Sequence, residues 1–149
     1  MATRTIRLYG DDILRKKCRL VETVDNKIKE ILEDMTETLH ATDNGAALAA
    51  PQVGILKRLV VIDMGGKLYK LVNPQIISSS GEQEVYEGCL SIPDKYGKLM
   101  RPKYVRVSAK DENGKDIIIE AQDELAKCFC HEIDHLDGVL FIDKVIEYV

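Results

Sequence analysis

Five consecutive residues, His131-Glu132-Ile133-Asp134-His135, combine two metal-binding imidazoles with a carboxylate. Wound into a helix, positions four apart share a face, so His131 and His135 can reach one ion together. Glu132, beside the first of them, is placed to take a proton from water on that ion. Two ligands do not complete a catalytic site, so a third must come from elsewhere. Only fourteen residues follow His135, and none is His or Cys. The protease pattern that takes a third His downstream has its glycine here as Gly138, but Phe141 stands where that His belongs. A protease that draws a Glu from a second downstream helix needs more chain than remains. Asp137, Asp143 and Glu147 stay formally open. Upstream, Glu87-Gly88-Cys89-Leu90-Ser91 offers a thiolate in a glycine-flanked, turn-like setting. A thiolate is a better ligand than a surface carboxylate, and Cys89 is the preferred third.

These residues need elements to hold them. Ile28, Ile31, Leu32, Met35 and Leu39 recur at helical spacing between about Asp25 and Thr42, with Asp25 as N-cap and Asn44-Gly45 as stop. This amphipathic helix reads as scaffold. The small residues Gly45–Ala50 run into Pro51, which ends any helix there. β signals dominate from that point. Leu59–Ile62 and Lys67–Val72 flank Gly65-Gly66, and Val105–Ala109 and Ile117–Glu120 flank Asn113-Gly114, each predicting a hairpin. Leu71–Ile77 and Gln83–Tyr86 add further strands. A helix from about Glu124 to Leu136 ends at Gly138, and Leu140–Val149 forms a last strand or a short helix. An early helix, a run of strands and a late helix predict an α+β fold. Its antiparallel β-sheets would pack around a central helix carrying the two His, with the amphipathic helix near the N-terminus added outside.

A chain of 149 residues predicts one catalytic domain, 1–149, with one core. Its 45% apolar and 31% charged residues are those of a globular protein. A net charge of −4 with interspersed signs argues against an electrostatic nucleic-acid binder, and no direct nucleic-acid site is evident. No apolar run reaches membrane-spanning length, and no secretory signal opens the chain. The four cysteines (Cys18, Cys89, Cys128, Cys130) therefore read as free or metal-bound thiols, and the expected compartment is the cytoplasm. Cys128, three residues before His131, lies on the same helix face and could line a substrate pocket; Cys130 must point elsewhere.

Three segments in order, Gly45–Gln52, Glu87–Ser91 and His131–His135, resemble the GxGxAAxQ-like, EGCLS and HExDH motifs of peptide deformylases. The resemblance extends from the Leu8–Leu14 region to Asp143. It implies that Cys89, His131 and His135 bind the metal, with Glu132 as general acid/base and a metal-bound water as nucleophile. It implies that the Gln52 amide and the Leu90 N–H donate to that water or to the formyl oxygen. Gly45 and Ala46, with Cys128, are implied to line the pocket for the substrate. The implied reaction removes the formyl group from the N-terminal formyl-methionine of newly made polypeptides and releases formate. One divalent ion would serve, Fe²⁺ in the native enzyme, with Zn²⁺, Ni²⁺ or Co²⁺ as substitutes. Its partners would be N-formyl-methionyl nascent chains, together with a ribosome contact. One position departs from the motif: Ala47 replaces its second Gly, and Ala largely lacks the φ > 0 region open to Gly. Ala46 is also smaller than the aliphatic residue of many relatives.

The chemistry agrees with that implication. Two imidazoles and a thiolate suit Zn²⁺ or Fe²⁺ and disfavour Mg²⁺ or Ca²⁺. The thiolate makes the ion a weaker Lewis acid, so donors such as Gln52 gain importance. Asp134 reads either as the orienting partner of a His or as an ion-pair partner, and Glu87 with Arg101 as a supporting ion pair. Two other classes compete: an endopeptidase of the HExxH type, and a closed, non-catalytic metal module that adds Cys128 or Cys130.

Overall fold

The computed structural model describes residues 2–42 and 45–149. The first helix, α1 (Asn26–His40), starts where its cap predicts, the Asp25 side chain accepting the Ile28 N–H at 3.0 Å. Its chain closes through the Ala41 N–H onto the Glu37 carbonyl. Of the expected stop, Asn44 lies outside the described residues.

A five-stranded antiparallel sheet follows, with strands β1 (Ala47–Ala49), β2 (Leu59–Met64), β3 (Lys67–Ser80), β6 (Tyr104–Lys110) and β7 (Asp116–Gln122) in the order β1-β2-β3-β6-β7. The unbroken apolar run of β2 is explained by burial on both faces. Leu59 and Val61 join Ile28, Leu32, Met35 and Leu39 of α1 in one cluster. Val60 and Ile62 join Phe129, Ile133 and Leu136 of the second helix, α2 (Asp123–Leu136), in another. The sheet thus lies between α1 and α2, and the α+β expectation with antiparallel sheets holds.

Gly65 and Gly66 both have positive φ (64° and 77°), as the tight β2–β3 hairpin turn requires. The β6–β7 connection differs from its expected two-residue turn. It is a five-residue loop in which the Asp111 carboxylate accepts the N–H groups of Asn113 (2.8 Å) and Lys115 (3.0 Å). Lys67–Val72 and Leu71–Ile77 are one strand, β3, rather than two. Register irregularities after Val72 and Ile76 bend it around Pro74, and the Asn73 amide pairs with both backbone groups of Val21 at 2.8 Å.

A second sheet holds β4 (Gln83–Cys89), β5 (Ile92–Arg101) and β8 (Glu147–Tyr148). Its core is Leu14, Val85, Ile92, Leu99, Leu140 and Phe141. Between Leu140 and Val149 the chain uses both expected conformations, a 3₁₀ turn (Phe141–Asp143) and then β8. Among the described residues no helix is long and apolar enough to cross a membrane.

Candidate metal centre

The α2 backbone sets His131 and His135 one turn apart with ring centroids 5.1 Å from each other. Cys89 ends β4, and the β4–β5 register slips between Glu87 and Cys89. Gly88 sits at that slip with the Tyr96 ring so close that a Cβ there would lie 2.7 Å from it. The bulge aims Cys89 at α2. The donor atoms of Cys89, His131 and His135 all lie within 4.8 Å of one another, with Sγ 3.3 Å from His135 Nε2. Bonds of about 2.0–2.3 Å to a tetrahedral ion would separate ligand atoms by roughly 3.5 Å, so the three fit one cation of this class.

The two imidazoles differ in protonation when no cation is bound. Burial and the neighbouring His131 hold His135 well below its ordinary pKa, leaving a neutral ring with a free lone pair. Burial pushes His131 down too, but Glu132, Cys89 and Glu87 overcome it and hold the ring up at about 10. Its Nδ1 is fixed on Glu87 at 2.7 Å, so a proton and a cation compete for Nε2. Burial raises Glu132 to about 7, and its Oε1 has no hydrogen-bond partner among the described residues. An orphaned carboxylate oxygen beside three convergent donors is the arrangement expected where a cation and a water are meant to sit.

Gln52 closes the site from the other side. The Ala49 N–H donates to its Oε1 at 2.9 Å, which forces the amide NH₂ toward Ser91 Oγ (3.1 Å) and Cys89 Sγ (3.5 Å). Gly45, Ala46, Leu90 and Cys128 line one cavity of about 380 Å³ with Gln52, Cys89, His131 and Glu132. Burial pushes the Cys128 thiol well up, so it presents a neutral, apolar surface. Ala47 opens β1 opposite Ile62 in an extended strand, and its departure from the motif carries no backbone strain.

The open alternatives take other partners. Asp137 pairs with Arg58 (2.9 Å), Asp143 with Arg15 (2.6 Å) and Glu147 with Lys98 (3.2 Å). Among the described residues neither Cys128 nor Cys130 joins the three-donor group. Asp134 turns to Arg101 (2.7 Å) and Lys144 (3.1 Å), so the ion-pair reading applies to it. The carboxylate that orients His131 is Glu87, itself held by Arg101 at 2.8 and 2.9 Å. Sequence reasoning left two links unnoticed, Glu87 to His131 and Ser91 to Gln52. Both residues lie in the motif that carries Cys89, and that adjacency was the available signal.

Comparison with known proteins gives consistent matches. A family model described as polypeptide deformylase matches residues 3–148. The chain is 64% identical over 149 residues to peptide deformylase 2 of Clostridium acetobutylicum, covering all of this chain and 99% of that protein. The crystal structure of a Thermotoga maritima peptide deformylase superimposes with a TM-score of 0.94 at 36% identity, covering 97% of this chain and 99% of that one. An Ehrlichia chaffeensis peptide deformylase in complex with actinonin superimposes at 0.93 with 38% identity, over 97% and 90% of the two chains.

Proposed function

The chain belongs to the peptide deformylase family, metal-dependent hydrolases that remove the formyl group from N-terminal formyl-methionine, and from that premise we propose which residues do the work. Cys89, His131 and His135 hold the metal, Glu132 is the general acid/base, and Gln52 with the Leu90 N–H binds the oxygen of the formyl group. The observation that carries this reading is the convergence of three ligand atoms beside the unpartnered Glu132 Oε1.

A divalent ion held by those donors supplies Lewis acidity and makes water nucleophilic near neutral pH. Glu132 accepts the proton of the attacking water on Oε1. Burial raises this carboxyl and a bound cation would bring it back down, leaving a group that takes the proton as a carboxylate and then releases it to the departing amine. The Gln52 amide, locked at its oxygen end by Ala49, keeps its N–H groups aimed at the developing oxyanion without reorganising. Gly45, Ala46 and Cys128 receive the methionine side chain, and their small volumes leave it room.

The two sheets and α2, with α1 outside, serve as one catalytic domain spanning 1–149. Fe²⁺ is the native ion, with Zn²⁺, Ni²⁺ and Co²⁺ able to replace it, since the donor set of one thiolate and two imidazoles suits all four. The enzyme works in the cytoplasm, where nascent formyl-methionyl chains appear, in contact with the ribosome that presents them.

Formate release from a formyl-Met peptide tests the assignment. Wild-type protein freshly loaded with Fe²⁺ or Ni²⁺ releases formate, and Glu132→Ala loses about 10²–10⁴-fold in kcat while keeping its metal. Robust activity in Glu132→Ala would overturn the mechanism, and no formate from the loaded wild type would overturn the function.

A further inference from the structure

The segment ahead of a 3₁₀ turn at Asp12–Arg15 crosses both halves of the site. The Arg7 N–H donates to the Gln52 carbonyl at 2.6 Å, and the Tyr9 N–H donates to the Ser91 carbonyl at 2.7 Å. Three residues of chain, ahead of a turn closed by the Asp11 N–H on the Leu8 carbonyl, thus present one short donor edge to two carbonyls in segments next to different sheets. Gln52 lies in the 3₁₀ turn after β1 of the large sheet, and Ser91 in the connection from β4 to β5 of the small one. The same two residues also meet through their side chains, Gln52 Nε2 donating to Ser91 Oγ.

The attachment is made by main chain rather than by apolar burial. Gln52 and Ser91 are 1% and 0% exposed, whereas Leu8 and Tyr9 are each 53% exposed. Gly54 closes the turn that bears Gln52 with a φ of 84°, in the left-handed region that favours glycine.

We propose that Arg7–Tyr9 is a positioning strap, fixing the separation of the Gln52 amide from Cys89 by tying the Gln52 and Ser91 carbonyls to one edge. This rests on the reading of Gln52 as the formyl-oxygen donor. The turn that bears Gln52 (Ala50–Val53) is a single 3₁₀ turn, joined to the small sheet by the Gln52 side chain on Ser91 and Cys89, by Leu90 packed on the cluster of Ala50 and Val53, and by this backbone link. A shift of about 1 Å in a positioned donor can cost on the order of 100-fold in rate.

Proline at a donor position removes the N–H and tests the strap. Tyr9→Pro should lower kcat for a formyl-Met peptide about tenfold or more, with KM and bound metal unchanged. Leu8→Pro keeps both N–H groups and is the control, with near wild-type kcat. Combined with Gln52→Ala, Tyr9→Pro should add less than about twofold to the loss from Gln52→Ala alone, because both act on one donor. Arg7→Pro, set against Arg7→Ala, which keeps the N–H, repeats the test at the other bond. Fully multiplicative losses in the double variant, or an equal loss in Leu8→Pro, would overturn the strap. So would failure of both Tyr9→Pro and Arg7→Pro to fold, which would make the segment part of the scaffold. If Gln52→Ala keeps full kcat, the Gln52 reading itself fails. If Gln52→Ala is impaired and Tyr9→Pro is not, only the strap fails.

Discussion

Glu132 shows how one environment can set one residue's task. In the metal-free protein, burial holds its carboxyl up at about 7, and the group is protonated below that pH and charged above it. A divalent cation nearby favours the charged form and lowers this value. The acidic limb of kcat/KM should therefore have its midpoint below pH 7, with activity rising as the carboxylate ionises. A pH–rate profile on a formyl-Met peptide measures it, and a midpoint above 7 would count against Glu132 as the base. The helical pair His131 and His135 was legible from spacing alone, since four residues make one turn. Cys89 came from the chemistry of its neighbours and then from the family motif. The hydrogen bond from Gln52 to Ser91 was not legible, because it joins side chains 39 positions apart through a fold not yet known.

Elements were legible where one physical signal dominated. The apolar stripe and Asp25 cap gave α1, and the doubly buried run of β2 gave an unmistakable strand. β5 went unrecognised because Pro93, Asp94, Lys95 and Tyr96 are exposed and break any two-residue alternation. β3 looked like two strands because its bulges interrupt the pattern in the middle. The strap escaped notice for a related reason: its bonds are backbone to backbone and leave no side-chain signature. The end of α2 carries a sharper requirement. Gly138 has φ 74°, and a Cβ there would fall 2.4 Å from the Arg15 carbonyl oxygen, which is main chain and cannot swing away. Gly138→Ala should destabilise the protein by about 2–3 kcal/mol, seen as a lower urea midpoint. An unchanged midpoint would mean the Arg15 segment yields freely.

Across the whole molecule, one buried ionic chain joins the small sheet to α2. Arg101 of β5 grips Glu87 of β4, Glu87 holds His131, and Arg101 also reaches Asp134. Removing one member would strand a buried charge, so the layers depend on the set. Burial alone would raise Glu87, but its bonds to Arg101 and His131 outweigh that and hold it at about 2. A carboxyl depressed below its unfolded value contributes stability above about pH 4.5 and loses it as pH falls through about 2. In metal-free protein, urea midpoints should drop more steeply between these limits for wild type than for Glu87→Gln. Glu87→Gln should already be the weaker of the two at pH 7. Equal slopes would show that other carboxylates control acid unfolding.

The proposed ligands also lie far apart in time. Cys89 and His135 are separated by 46 positions, so the thiol leaves the ribosome well before the helix that completes its site. At ordinary synthesis speeds that interval is roughly 2–9 s. During those seconds the sulfur has neither imidazole beside it nor a cation to share its electrons. On that ligand set, the thiol meets its imidazoles only once α2 has been made and packs against the sheet.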